Sequence, residues 1–261
     1  MNNLLKINRL PLLTLVCGAL GLLLRFGLYA TAVDGKGLLV QGHYLLILSW
    51  VLTIIVAALL FCILRTLDGD NGYAANFSPS ILGGIGYIAA GVGLLLTVTR
   101  DIQGFAYMEK IVKVWIILGI ATSLCLFALG ILRTKGIRPF FGLHGLLILF
   151  LGLHLVCQYR EWSGMPQSPD FTFQLFACMF MMLAAYYHAG FDVDMGQRRH
   201  LLFVGLLGSF LCCMAVVKSD APVLYLTFGF WMVTNLCPLN PPAKPRTDPE
   251  ESSELPTREE G

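Results

Sequence analysis

The sequence predicts an all-α protein, a polytopic transmembrane bundle of about eight helices, and three observations lead to this prediction. Hydrophobic residues make up 56% of the chain and charged residues only 13%, whereas about 25% of residues are charged in soluble domains. The mean hydropathy is +0.72. Eight separate apolar runs follow one another along the 261 residues. Each run is close to the roughly 20 residues that cross about 30 Å of hydrocarbon as a helix, where lipid offers no partner to unpaired backbone groups.

The first four predicted spans lie at about 11–33, 42–64, 78–98 and 111–132. The first follows Lys6 and Arg9, contains Arg25, and is expected to remain as an anchor rather than to be removed as a signal peptide. The second closes at Arg65, ahead of a turn rich in Gly and Asp. The third is rich in Gly, which favours a central helix because small residues let neighbouring backbones approach closely. The fourth ends just before Arg133.

The last four predicted spans lie at about 139–159, 171–191, 201–217 and 221–237. The fifth carries two histidines, and the sixth carries a stripe of Phe, Met and Tyr that is typical of a bundle core or a lipid-facing surface. The longest connector between spans has only about 13 residues, and short connectors indicate antiparallel neighbours. Residues 1–237 are therefore predicted to form one helical bundle without a soluble domain.

The distribution of Lys and Arg predicts that both termini are cytoplasmic. With the N-terminus inside, eleven of the 18 Lys and Arg residues lie on the inner side, six lie on the outer side, and Arg25 lies within the membrane. Cytoplasmic loops carry such an excess. Trp50, Trp115 and Trp162 then lie near the outer interface, where aromatic residues are enriched. The short loops favour a location in a cell membrane, specifically a bacterial cytoplasmic membrane.

The C-terminal segment 238–261 differs from the rest of the chain, because it is rich in Pro and then in Glu. Such a segment is predicted to be a disordered cytoplasmic tail, since it cannot bury enough apolar surface to fold. The formal net charge of +2 is too small to indicate nucleic-acid binding. All eight cysteines lie within or beside apolar runs, which indicates packing rather than a disulfide framework.

Three basic residues are candidate ligand contacts. Arg25 is the only charge well inside a predicted span, and an intramembrane charge is a functional hypothesis by default. It either reaches the outer headgroups or faces the bundle and binds an anionic group with its planar set of donors. Arg100 and Lys113 are basic residues of the predicted outer side. Together these residues predict binding or transport of a small anionic or amphipathic molecule.

Two other classes of function stay open. A non-enzymatic accessory, sensory or scaffolding subunit would fit the apolar core, and its tail would recruit a cytoplasmic or membrane protein partner. An intramembrane enzyme is the weaker hypothesis, since the chain contains no HExxH, GxSxG or phosphate-binding glycine motif. The lipid bilayer is an expected partner under each of these hypotheses.

The histidines and their neighbouring acids are candidate ligands of a metal ion or a haem. His188 and Asp192 are four residues apart and precede Asp194, so these three side chains are candidate metal ligands. The simpler interpretation is an interfacial turn, in which the acids pair with Arg198 and Arg199. His144 and His188 lie at nearly the same predicted depth, which is the arrangement that a bridging haem requires. A two-tier haem arrangement would need two spans that each carry two histidines, and only the fifth span does. No cofactor is predicted.

Overall fold

The computed structural model describes residues 2–32, 43–65, 71–100, 109–163 and 168–240, with side chains from Leu10 onward in the first helix and from Phe171 onward in the seventh. This part of the chain is helical apart from its connections and one isolated antiparallel bridge between Phe77 and Leu239. The helices are α1 (Asn2–Thr31), α2 (Tyr44–Leu64), α3 (Tyr73–Asn76), α4 (Ile81–Arg100), α5 (Lys110–Lys135), α6 (Phe141–Trp162), α7 (Ser168–Asp192), α8 (Arg198–Ala215) and α9 (Pro222–Leu236).

The predicted all-α membrane bundle is confirmed. Each of the eight predicted spans corresponds to one apolar helix, and seven of the described helices are long and apolar enough to cross a membrane. The eighth, α9, has 15 residues and is shorter than the usual spanning length. The number of helices that cross the membrane therefore stays a prediction, as does the side of the membrane on which the termini lie.

The helices run alternately in opposite directions, so the bundle has two ends. The end at which α1 begins is called the N-side face here, and the other end is called the opposite face. The short α3 lies at the N-side face between α2 and α4. Gly136 ends α5 at this face with φ of 68°, a left-handed conformation that glycine adopts without strain.

The Gly-rich helix α4 lies between α5 and α9. A Cβ added at Gly84 would meet Thr134 of α5, and one added at Gly86 would meet Thr234 of α9. The Ser123 hydroxyl of α5 donates to the Gly91 carbonyl of α4 at 2.8 Å. Close van der Waals packing of this kind holds membrane helices together, because lipid provides no hydrophobic drive for their association.

A fully buried apolar layer crosses the middle of the bundle. It contains Ala90 and Leu94 of α4, Leu147 and Phe150 of α6, and Phe228 of α9. Many large apolar side chains point outward instead; on α2 they include Ile47, Ile54, Ile55 and Leu59. An apolar exterior of this kind is suited to contact with lipid.

The predicted tail begins within the described part of the chain. Leu239 is buried, and the Asn240 backbone N–H donates to the Asn76 carbonyl at 3.0 Å. The chain thus remains packed on α3 up to Asn240. Positions 241–261 lie outside the described residues.

Candidate functional site

A cavity of about 380 Å³ opens at the opposite face of the bundle. It lies between α4, α5, α6 and the start of α9. The wall combines apolar and aromatic side chains with a few polar groups, namely Leu96, Thr97, Arg100, Val112, Trp115, His154, Cys157, Gln158, Glu161, Trp162, Asp220, Ala221, Pro222 and Val223. Ligand sites typically have about 300 to 1,000 Å³ and this mixture of wall groups.

Arg100 stands at the rim of the cavity, since it is the exposed last residue of α4. Its Nη1 donates to the Asp220 backbone carbonyl at 3.0 Å, which ties α4 to the connector before α9. Glu161 and Asp220 also contribute to the wall. The cavity therefore offers both signs of charge, with one guanidinium and two carboxylates.

Two polar side chains of the wall, Gln158 and His154, each bond to a side chain of a neighbouring helix. Gln158 Nε2 donates to the Tyr225 hydroxyl at 3.2 Å, and that hydroxyl donates to Gln158 Oε1 at 3.3 Å, as two alternative arrangements of one contact. Trp115 Nε1 donates to His154 Nδ1 at 3.2 Å. The His154 ring lies nearly parallel to Phe150, with ring centroids 5.9 Å apart.

Arg25 is buried in the bundle rather than extended to the headgroups. Its guanidinium carbon lies 4.8 Å from the centre of the Phe173 ring, and its Nη2 donates to the Tyr29 hydroxyl at 3.0 Å. Of the two positions considered from sequence, the structure thus places Arg25 toward the bundle. It does not line the cavity at the opposite face. Lys113 is half-buried on α5 and does not line this cavity either.

A second polar cluster is buried near the N-side face. The Tyr87 hydroxyl lies 2.8 Å from His144 Nε2, and His144 Nδ1 lies 2.6 Å from Asp192 Oδ2. These contacts join α4, α6 and α7. The His188 ring stacks on the His144 ring, with centroids 5.8 Å apart and planes 8° apart. Tyr73 lines the cluster from α3, and burial raises the pKa of its hydroxyl above the ordinary value.

A small cavity of about 10 Å³ lies within this cluster. Arg133, Asp192 and Asn235 line it, and each is buried. Arg133 Nη1 donates to the Ser78 carbonyl at 2.7 Å. Arg133 Nε and Nη2, Asp192 Oδ1 and Asn235 Oδ1 have no hydrogen-bond partner among the described residues. These atoms of Arg133, Asp192 and Asn235 surround one space and meet no hydrogen-bond partner at normal distance and angle, although the Arg133 guanidinium also interacts with the Tyr73 hydroxyl.

The acids at the turn after α7 have different partners from those expected. Asp192 pairs with His144 rather than with Arg198 or Arg199, and Asp194 Oδ2 pairs with Arg138 Nη1 at 2.7 Å. The physical reason is the sharp turn after α7, where Asp194 has φ of 57° and its Oδ1 accepts the Tyr73 backbone N–H. Arg198 Nη1 instead donates to Asn76 Oδ1 at 3.1 Å, and the Arg199 guanidinium lies over the Phe61 ring.

The candidate metal ligands are directed to different partners. Asp192 contacts His144, and Asp194 contacts Arg138. His188 stacks on His144 and meets the rings of Phe77, Tyr87 and Trp231 at an angle. Within the described part of the chain, no group of three or more His, Cys, Asp or Glu side chains is arranged to hold a metal ion. A haem between His144 and His188 has no space in this arrangement, because the two rings stack directly on each other.

The sequence did not single out Tyr87, Arg133, Gln158 or Asn235. Each lies on an apolar helix, and its partners are distant in sequence, as with the 57 residues between Tyr87 and His144. The available signal was the presence of isolated polar residues within apolar runs, since such residues generally face the bundle interior. Comparison with protein-family models, with curated proteins and with solved structures finds no match to this chain.

Proposed function

We propose that this membrane protein binds a small amphipathic molecule with one anionic group in the cavity at the opposite face. The observation that supports the proposal is the 380 Å³ recess, in which an apolar and aromatic wall is combined with Arg100 at the rim. An apolar portion of the ligand would lie against Trp115 and Trp162, and its anionic group would accept hydrogen bonds from the Arg100 guanidinium.

The two carboxylates of the wall limit which anionic molecules the cavity can bind. Glu161 and Asp220 would repel a molecule that is anionic throughout. A molecule with one anionic end and an apolar body avoids this repulsion, because its charge stays beside Arg100. Arg25 and Lys113 do not line this recess, so the proposal assigns the anion contact to Arg100 among the three basic candidates.

The positions of the four tryptophans allow binding in the cavity to be tested by fluorine NMR. The chain has four tryptophans, of which Trp115 and Trp162 line the cavity, whereas Trp50 packs on Phe173 and Trp231 is fully buried. Fluorine NMR of protein labelled with 5-fluorotryptophan, in nanodiscs, would be recorded during titration with hexanoate. We expect the resonances of Trp115 and Trp162 to shift and those of Trp50 and Trp231 to stay in place.

The role of Arg100 is tested with a matched pair of variants. Arg100→Gln should weaken hexanoate binding about tenfold, which corresponds to the loss of one charge-assisted hydrogen bond. Arg65→Gln removes an exposed arginine at the other end of the bundle and should leave the titration unchanged. Equal shifts of all four tryptophans, or no shifts at all, would contradict binding in the cavity.

A further inference from the structure

The Trp115 contact determines the protonation state of His154. An indole N–H donates and cannot accept a hydrogen bond, so His154 Nδ1 must present its lone pair to Trp115 Nε1 at 3.2 Å. An imidazolium would direct a second N–H at the indole N–H. The ring is therefore the neutral tautomer that carries its proton on Nε2.

The Nε2–H of this tautomer is an unused donor. His154 Nε2 is buried and has no hydrogen-bond partner among the described residues. Buried donors are rarely left in this state, because the bond to water lost on folding is not replaced. The neighbouring deep polar groups, Gln158 and Tyr225, bond to each other instead.

His154 also lines the cavity at the opposite face, on the same wall as Trp115. We propose that His154 is a ligand-contact residue, whose Nε2–H donates to an acceptor oxygen of the bound molecule. This inference rests on the proposed function, since it concerns the same cavity. Because Nε2 has almost no exposed area, the acceptor reaches it through a small shift of the cavity wall, and the bond forms away from water.

A donor at His154 favours a ligand that carries acceptor oxygens. Arg100 at the rim and His154 in the wall are both donors, so the bound molecule presents acceptor oxygens, as a carboxylate, a phosphate ester or a sulfonate does. A protonated amine of the same length has only donors and gains nothing from His154. Hexanoate and hexylamine are therefore matched probes, which differ in their head group and share a similar apolar body.

The test combines these probes with two histidine variants. His154→Phe keeps a flat ring against Phe150 and removes the donor, and His200→Phe changes a histidine that stacks on Tyr187 away from the cavity. The Trp115 and Trp162 fluorine resonances report binding. His154→Phe should weaken hexanoate about tenfold and leave hexylamine unchanged, as expected for the loss of one hydrogen bond in a water-poor site. His200→Phe should bind both probes as the unsubstituted protein does.

A measurement on the unsubstituted protein covers the case in which His154→Phe does not fold. With ¹⁵N-labelled histidine, the His154 ring should show a protonated Nε2 and an unprotonated Nδ1, and hexanoate but not hexylamine should shift the Nε2 resonance. If neither probe moves Trp115 or Trp162, the proposed function fails and this inference fails with it. If hexanoate moves both tryptophans while the Nε2 resonance and the His154→Phe affinity stay unchanged, only the role of His154 is overturned.

Discussion

His144 Nδ1 lies 2.6 Å from Asp192 Oδ2, and the two side chains are only 3% and 1% exposed. The pair joins the start of α6 to the end of α7, and Tyr87 extends it to α4 through His144 Nε2. Removal of one partner of so deeply buried a contact is costly. The other partner then stays buried without the hydrogen bond that compensated for its loss of water. Loss of either partner is therefore expected to destabilise the bundle.

Removal of one member of this pair should destabilise the protein. We expect Asp192→Ala to lower the free energy of unfolding by about 1 to 3 kcal/mol, the cost of leaving the buried His144 Nδ1 without its hydrogen-bond partner. Glu109→Ala is the control, since the Glu109 and Arg160 side chains are 66% and 65% exposed; exposed pairs contribute about 0 to 1 kcal/mol. Denaturation with SDS in mixed micelles, followed by tryptophan fluorescence, measures both. Similar losses in the two variants would contradict the importance of the buried pair.

The small cavity beside Asp192 should hold one ordered water. Its volume of about 10 Å³ is close to that of a single water site. Water both donates and accepts, which matches the unpaired atoms of Arg133, Asp192 and Asn235. Water-edited solid-state NMR should transfer magnetisation to Arg133 Nε and not to the backbone amide of the buried Leu94. Asn235→Leu should abolish the transfer. No transfer to Arg133 Nε in the unsubstituted protein would contradict the presence of a water in this cavity.

Close packing of α4 against α9 should make Gly86 sensitive to a single methyl group. Gly86→Ala places a Cβ against the Thr234 side chain and the Trp231 backbone, and we expect it to cost about 1 to 3 kcal/mol by overpacking. Gly145→Ala is the matched control, because nothing lies within 4 Å of its added Cβ. The control should be neutral or slightly stabilising, since alanine favours helix more than glycine does. Thermal unfolding in the same detergent compares the two, and equal melting temperatures would argue against tight α4 and α9 packing.

Arg25 and Arg100 should respond differently to substitution. Arg25 contacts Tyr29 and Phe173 inside the bundle and does not line the cavity. We expect Arg25→Gln to leave the hexanoate titration unchanged, whereas Arg100→Gln weakens it. A weaker titration in a folded Arg25→Gln protein would restore Arg25 as a candidate ligand contact. Circular dichroism of the same sample shows whether the variant is folded.

The lengths of the apolar runs predicted the eight apolar helices of the described residues, because each run requires internal backbone pairing in lipid, whereas the short α3 falls in a predicted connector. The burial of Arg25 was only one of two possibilities, since a single helix does not reveal which of its sides faces the bundle. The pairing of Asp192 with His144 spans 48 residues and depends on how α6 and α7 pack. The His154 tautomer likewise requires Trp115, which lies 39 residues earlier on another helix. Contacts of this kind follow from helix packing, which the order of apolar and polar residues does not specify.

The apolar layer in the middle of the bundle makes the cavity a blind recess. On α4 it separates Thr97 in the cavity wall from Tyr87 in the buried cluster by ten residues, or about 15 Å of helix. Leu94, Phe150 and Phe228 occupy this interval and are fully buried. A molecule in the recess therefore leaves by the route along which it entered, and passage to the N-side face requires these helices to separate. A ligand bound as proposed would thus be held at one end of the bundle, and transport would require the helices that carry this apolar layer to move apart.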